Sequence, residues 1–139
     1  MHHPLETTQN QDPTLAELQV GLATTQAERE AVFRFRYEVY IREMGKPLAA
    51  ADHARGRLTD GSDERALLLV ANGSNGTVMG TLRLHLGTMP AAAAERVAAN
   101  QLEVGIERVA LVGKTMVDRG QRGSRVFLAL ARTALALAL

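Results

Sequence analysis

The chain has 139 residues, the length of one ordinary domain. Its 16 Lys and Arg balance 15 Asp and Glu to a formal charge of +1, so bulk electrostatics give no reason to expect a nucleic acid or a membrane surface as partner. With no cysteine there is no disulfide framework, no thiol nucleophile and no Cys-ligated metal, which fits a reducing, cytoplasmic setting.

Residues 1–16 are polar and read as a disordered leader without a secretory signal, leaving 17–139 as the folded domain. Two of the four histidines fall in that leader, and no metal site is expected. Aromatic residues are only 4% of the chain, so the core must be built from Leu, Val and Ala.

Leu18, Val20 and Leu22 alternate with smaller or polar residues and predict a strand over about 17–24. Thr25-x-x-Glu28 has the capping-box form, and a helix is expected from about 26 to 43, stopped by Gly45 and Pro47. Phe33, Tyr37, Tyr40 and Met44 make one stripe of this helix, and its four aromatics, Phe33, Phe35, Tyr37 and Tyr40, read as core anchors. Arg29, Arg34, Arg36 and Arg42 read mostly as a solvated face, with Arg36, on the aromatic stripe, as the one able to face a pocket.

Residues 46–65 lack periodicity and read as a long loop. In it, Asp60 and Asp63 suit turn capping and pairing with arginines, the alternative being to hold a cationic partner. A buried strand (66–71), an Asn-Gly-rich turn (72–76) and a returning strand (77–86) make a hairpin. Alternation puts Val78, Gly80, Leu82, Leu84 and Leu86 on one face, and Met79, Thr81, Arg83 and His85 on the other. A helix is expected from about 88 to 100, then strand material over 106–117, in which Gly113 marks a bulge or a close approach.

The stretch Val117-Asp-Arg-Gly-Gln-Arg-Gly-Ser-Arg-Val126 follows, and then the apolar pattern of a helix running to Leu139. A β-branched run, a basic glycine-rich turn and a helix N-terminus together suit a seat for phosphate, the alternative being an ordinary β–α connection with solvated arginines. The last apolar run, 126–139, contains Arg132 and Thr133 and is shorter than the ~20 residues that span a bilayer. Gly113-Lys114-Thr115 is not a P-loop, because the preceding glycine spacing is wrong and a strand follows. The element order is β, α, loop, β-hairpin, α, β, α, an α/β or α+β arrangement with a largely antiparallel first half.

Four segments resemble the GNAT acyltransferase superfamily, in its branch of N-acyl amino acid synthases and acyl-homoserine-lactone synthases. They are Arg29-x3-Phe33 with Phe35 to Tyr40 and Glu43-Met-Gly45, Asp60-x2-Asp63, Val78 to Leu84, and Val117-Asp118 leading to Arg122-Gly-Ser124. The resemblance implies a mixed, mostly antiparallel sheet flanked by helices, without the C-terminal strands that normally follow. It implies an acyl thioester donor, acyl-CoA or an acylated carrier protein, as cosubstrate rather than a permanently bound cofactor. The phosphate end of its pantetheine arm would lie at Val117, Arg122, Gly123, Ser124 and Arg125. Arg125 and Phe127 depart from the small residues of the commoner acetyltransferase pattern.

By the same resemblance Arg29, Phe33, Arg36, Asp60, Asp63 and Arg83 belong to the acceptor side. Lys114 stands where the family would place an arginine. The implied reaction is direct attack of an amine on the thioester carbonyl, with Glu107 and His85 as candidate proton acceptors. Two alternatives stand beside it: a non-catalytic acyl- or CoA-binding or dimerisation module, and an acetyl-CoA N-acetyltransferase. An apolar terminal helix that needs cover also suggests a homo-oligomer.

Overall fold

Each half of the chain lays one amphipathic helix against a shared sheet. The structure, a computed structural model, describes residues 18–87, 95, 99, 109–121 and 125–139. The leader, Glu107, the turn residues Arg122, Gly123 and Ser124, and the helix expected over 88–100, apart from helical positions 95 and 99, lie outside the described residues.

The strands are β1 (Gln19–Leu22), β2 (Ala51–Asp52), β3 (Arg57–Leu58), β4 (Leu67–Asn72), β5 (Val78–Gly87) and β6 (Val109–Val117). The main sheet has the order β1-β4-β5-β6, and every pairing in it is antiparallel. α1 (Gln26–Arg36) lies on one face and α2 (Val126–Ala138) on the other. This is the mixed, mostly antiparallel sheet flanked by helices that the sequence implies.

Period-two alternation in β4 serves both faces. Leu69 and Ala71 join Met79, Leu82 and Leu84 beneath Val126, Leu130 and Ala134 of α2. Ala66, Leu68 and Val70 meet Val32 and Phe33 of α1. Fully burying a side chain such as Leu130 or Val126 stabilises by about 1.5–3 kcal/mol. α2 comes close because β5 has glycine at its contact point: a Cβ on Gly80 would stand 2.7 Å from Val126 Cγ1 and 3.1 Å from the Met116 carbonyl oxygen.

Local signals hold α1 in place. Thr25 and Glu28 form the expected reciprocal capping box. The α-helix ends at Arg36, however, and the chain continues as a π-helix over Tyr37–Glu43. Wider turns rotate the aromatic stripe away from the core. Phe33 is buried, whereas Phe35, Tyr37 and Tyr40 are half-buried, so of the four aromatics expected as core anchors only Phe33 is fully so.

Two further departures come from local backbone chemistry. Residues 46–65 are not a featureless loop, because β2 and β3 pair as a small hairpin and Gly61–Arg65 form a 3-10 turn capped by Asp60. In β5 the pairing steps from Ala71↔Gly80 to Asn72↔Val78, so Met79 is an extra residue. A one-residue bulge inverts the alternation beyond it. Met79 therefore joins the α2 face and Val78 the α1 face, opposite to their expected sides.

Candidate functional site

The charged side chains of the middle of the chain converge on the α1 face of the sheet. The 3-10 turn carries Asp60 at its cap and Asp63 three residues on, with reciprocal side-chain to backbone bonds between them. Capping fixes both carboxylates, and arginines from two other elements then reach them. Arg36 Nη1, from the end of α1, donates to Asp63 Oδ2 at 2.9 Å. Arg83 Nη1, from β5, donates to Asp60 Oδ1 at 2.7 Å and to Asp63 Oδ1 at 3.3 Å. Thr59 Oγ1 donates to Asp63 Oδ2 at 2.7 Å, and Arg29 Nη2 donates to the Asp63 backbone carbonyl at 2.7 Å.

Arg36 and Asp63 are each only 1% exposed. Burial alone would push the Asp63 carboxyl up, but Arg36, Thr59 and the Asp60 amide outweigh it and hold it well below the usual carboxylate range. Phe33 forms an aromatic floor nearby, with the guanidinium carbons of Arg29, Arg36 and Arg57 at 6.0, 5.6 and 5.2 Å from its ring centre.

Beside this network is a cavity of about 230 Å³, lined by Arg36, Leu48, Ala49, Ala50, Leu58, Thr59, Asp60 and Lys114. Lys114 arrives there because β6 is bulged. Its pairing steps from Arg83↔Gly113 to Thr81↔Met116, so Leu82 faces one residue too many, and Lys114 takes the left-handed φ of 49°. Without the extra residue, alternation from Ala110 and Val112 would have turned Lys114 to the α2 face, where those two line an apolar cavity. Gly113 does stand at the bulge. Lys114 Nζ lies 5.5 Å from the Tyr40 ring centre. Burial lowers the Lys114 pKa; of the surrounding charges, Asp60 and Asp63 oppose that shift while Arg83 and Arg36 add to it.

The second cavity, about 290 Å³, lies on the opposite face between β5, β6 and α2, and is lined by residues such as Leu82, Val112, Phe127 and Leu135. β6 thus has a charged cavity on one side and an apolar one on the other.

Of the residues singled out from sequence, the structure brings together Arg29, Phe33, Arg36, Asp60, Asp63 and Arg83. His85 is on the same face of β5 as Arg83 but does not line the cavity. Burial, then the Arg83 charge, lowers its pKa below the ordinary imidazole value. Val117 packs against the α2-side core, and Arg125 stands exposed at the cap of α2. Between them Arg119–Gln121 form a 3-10 turn, closed by Gly120 N–H donating to Asp118 Oδ2 at 3.0 Å. Among the described residues no group of acidic or histidine side chains is placed to hold a metal, and no helix is long and apolar enough to cross a membrane.

Sequence reasoning missed Thr59, the cavity walls Leu48–Ala50 and Leu58, and Lys114 as a cavity residue. Thr59 had a signal, since it immediately precedes the Asp60-x2-Asp63 capping pattern. Lys114 had only Gly113 beside it.

The family model described as N-acyl amino acid synthase FeeM matches residues 31–139. No curated protein matches the chain. Among solved structures, the chain resembles TofI, determined in a ternary complex with an inhibitor and MTA, with a TM-score of 0.62 and 20% identity over 88% of this chain and 65% of that one. It also resembles BjaI, a CoA-dependent acyl-homoserine lactone synthase determined with MTA, with a TM-score of 0.65 and 20% identity over 88% of this chain and 60% of that one. The chain therefore spans less than two thirds of either structure, and these likenesses establish a shared fold. The match across most of its length identifies the chain as a member of the N-acyl amino acid synthase FeeM family.

Proposed function

We propose that residues 17–139 act as an acyltransferase domain that moves an acyl group from a thioester to the amine of an amino acid or a similar small acceptor. The observation that carries this reading is the small charged cavity set directly against the β6 bulge, in a chain of the FeeM family. The amine lone pair attacks the thioester carbonyl carbon, the C–N bond forms, the C–S bond breaks and the thiolate leaves with the proton lost by the amine. A bulge leaves ladder positions unpaired, so its backbone N–H groups are suited to the carbonyl oxygen as it gains negative charge.

His85, favoured in its neutral form by burial and by Arg83, is the described candidate for relaying the proton, with Glu107 as the other. The donor is an acyl-CoA, which is supported by the CoA dependence of the structurally similar BjaI, or an acylated carrier protein. Its phosphate is assigned to Arg122, Gly123, Ser124 and Arg125 beside Val117. Its acyl chain suits the apolar cavity behind β6. The domain works in solution in the cytoplasm, alone or as a homo-oligomer.

The test is thiol release. The protein contributes no thiol of its own, so a thiol reagent reads free CoA without background. Release from acyl-CoA that rises with added amino acid supports the reading. Release that is absent, or indifferent to every amine supplied, refutes it.

A further inference from the structure

Of the 16 cationic side chains in the sequence only two are lysines, Lys46 and Lys114, and the rest are arginines. An arginine keeps its proton in a protein, whereas a buried lysine can lose its proton and become a nucleophile. Both lysines approach the Tyr40 ring, with Nζ 4.8 and 5.5 Å from its centre. Their settings differ. Lys46 is exposed just beyond the π-helix. Lys114 is half-buried and lines the cavity, where Leu48, Ala49, Ala50 and Leu58 are apolar walls.

The charges around Lys114 come from three other elements: Arg36 at the end of α1, Asp60 and Asp63 on the 3-10 turn, and Arg83 on β5. Each carboxylate is already held by an arginine, Asp63 by Arg36 at 2.9 Å and Asp60 by Arg83 at 2.7 Å. Among the described residues no carboxylate lies within ion-pairing distance of Lys114. Burial first, then the Arg83 and Arg36 charges, favour the free amine against the pull of Asp60 and Asp63. A lysine desolvated in a pocket beside other cations is in the setting that makes its amine nucleophilic.

The backbone points the same way. Lys114 is the one non-glycine residue with positive φ among the described residues. For a lysine this conformation is disfavoured and persists where the surroundings enforce it, often at functional sites. The bulge that accompanies it turns the amine from the apolar α2 face of the sheet into the cavity.

We propose that Lys114 is an acylation site, whose Nζ takes the acyl group of a thioester that enters the cavity. The amine lone pair attacks the thioester carbonyl carbon, the C–N bond forms and the C–S bond breaks. The thiolate leaves and takes up the proton that the amine loses. The product is an Nε-acyl-lysine, a neutral amide in place of the ammonium. The cavity, at 230 Å³, is below the roughly 300–1,000 Å³ of drug-sized sites and suits a short acyl group. The step needs no second amine and consumes one thioester per chain, so it goes beyond the proposed transfer to a free acceptor.

Site mapping by tandem mass spectrometry tests it. The folded chain is incubated with S-acetyl-N-acetylcysteamine and no added amine. This thioester carries neither phosphate nor nucleotide, so the proposed phosphate seat after β6 is not required. Lys46 is the control within the same molecule. Lys114 should gain the acetyl group about tenfold or more faster than Lys46, a modest part of what positioning in a cavity can supply. The excess should vanish when the chain is unfolded in urea. Lys114→Arg keeps the positive charge and should leave only the slow labelling of Lys46. Equal rates at the two lysines of the folded chain, or faster labelling of Lys46, would overturn the proposal. So would an excess at Lys114 that survives unfolding. The acyl-transfer reading is judged separately, by thiol release that rises with added amine, so either can fail alone.

Discussion

Replacing Asp63 with asparagine removes one negative charge and almost no volume, so it isolates the electrostatics of the buried network. In the native chain this carboxylate receives Arg36 at 2.9 Å, Thr59 at 2.7 Å, the Asp60 amide at 2.9 Å and Arg83 at 3.3 Å. All four are donors. An asparagine offers one oxygen where two were used, and its NH2 group must turn toward one of those donors. Arg36, at 1% exposure, then keeps its charge without a counter-ion. Breaking a buried pair from one side costs about 3–5 kcal/mol, which for a domain of this size lowers the melting temperature by roughly 10–20 °C.

Thermal unfolding followed by circular dichroism at neutral pH measures that cost. The pH dependence gives a second reading of the same cause. The folded Asp63 carboxyl is held well below its unfolded value, so the unfolded chain binds the proton first as pH falls. The stabilisation is fully present above the unfolded pKa of about 4 and is lost progressively below it. The gap between the native chain and Asp63→Asn should therefore be constant above about pH 5 and shrink as the solution is acidified below about pH 4. Replacing both partners by apolar residues, Arg36→Met with Asp63→Leu, should cost less than Asp63→Asn alone. A loss under about 1 kcal/mol for Asp63→Asn, the size of a surface pair, would refute the buried-network account.

The other predictions are smaller. Gly80→Ala should destabilise by about 1–3 kcal/mol through overpacking, because the new methyl meets Val126 Cγ1 at 2.7 Å and the Met116 carbonyl at 3.1 Å; an unchanged melting temperature would mean that α2 does not pack so tightly on β5. His85, whose pKa is lowered by burial and then by Arg83, should titrate by NMR below the ordinary value of about 6.5. Its neutral form stabilises the fold above that value, and the stabilisation declines as pH falls through and below it, so His85→Gln should flatten the stability slope between about pH 5 and 7. Arg122→Ala should weaken acyl-CoA binding by about 1–3 kcal/mol, as for loss of a charged hydrogen bond; unchanged affinity would remove the turn after β6 from the donor site.

Features decided within a few residues were legible in the sequence. Thr25 and Glu28 announced the start of α1, Asn72 to Gly76 announced the β4–β5 turn, and Gly113 announced a bulge. The spacing of Asp60 and Asp63 encoded their reciprocal cap, and the cap is what aims both carboxylates. The pairing of Asp63 with Arg36 spans 27 residues, and no local pattern encodes a contact of that range. The family likeness put both residues on the acceptor side without pairing them.

Parity was the systematic source of error. Alternation assumes that every residue advances one step, and Met79 and Lys114 sit where the ladder gains a residue. One exchanged the sides of Val78 and Met79; the other brought Lys114 into the cavity. The change to π-helix at Tyr37 acted in the same way on α1, turning a regular stripe into one buried ring and two half-buried ones. These shifts accompany tertiary contacts that the local pattern leaves open, and two of the three shape the candidate site.

The most direct test of acyl transfer is the product itself. The purified chain is incubated with a long-chain acyl-CoA or acyl carrier protein and an isotopically labelled amino-acid mixture, and the organic extract is analysed by mass. The account predicts an N-acyl amino acid that carries both the acyl mass and the label. Donor bound by the chain with no labelled amide formed from any amino acid would contradict it.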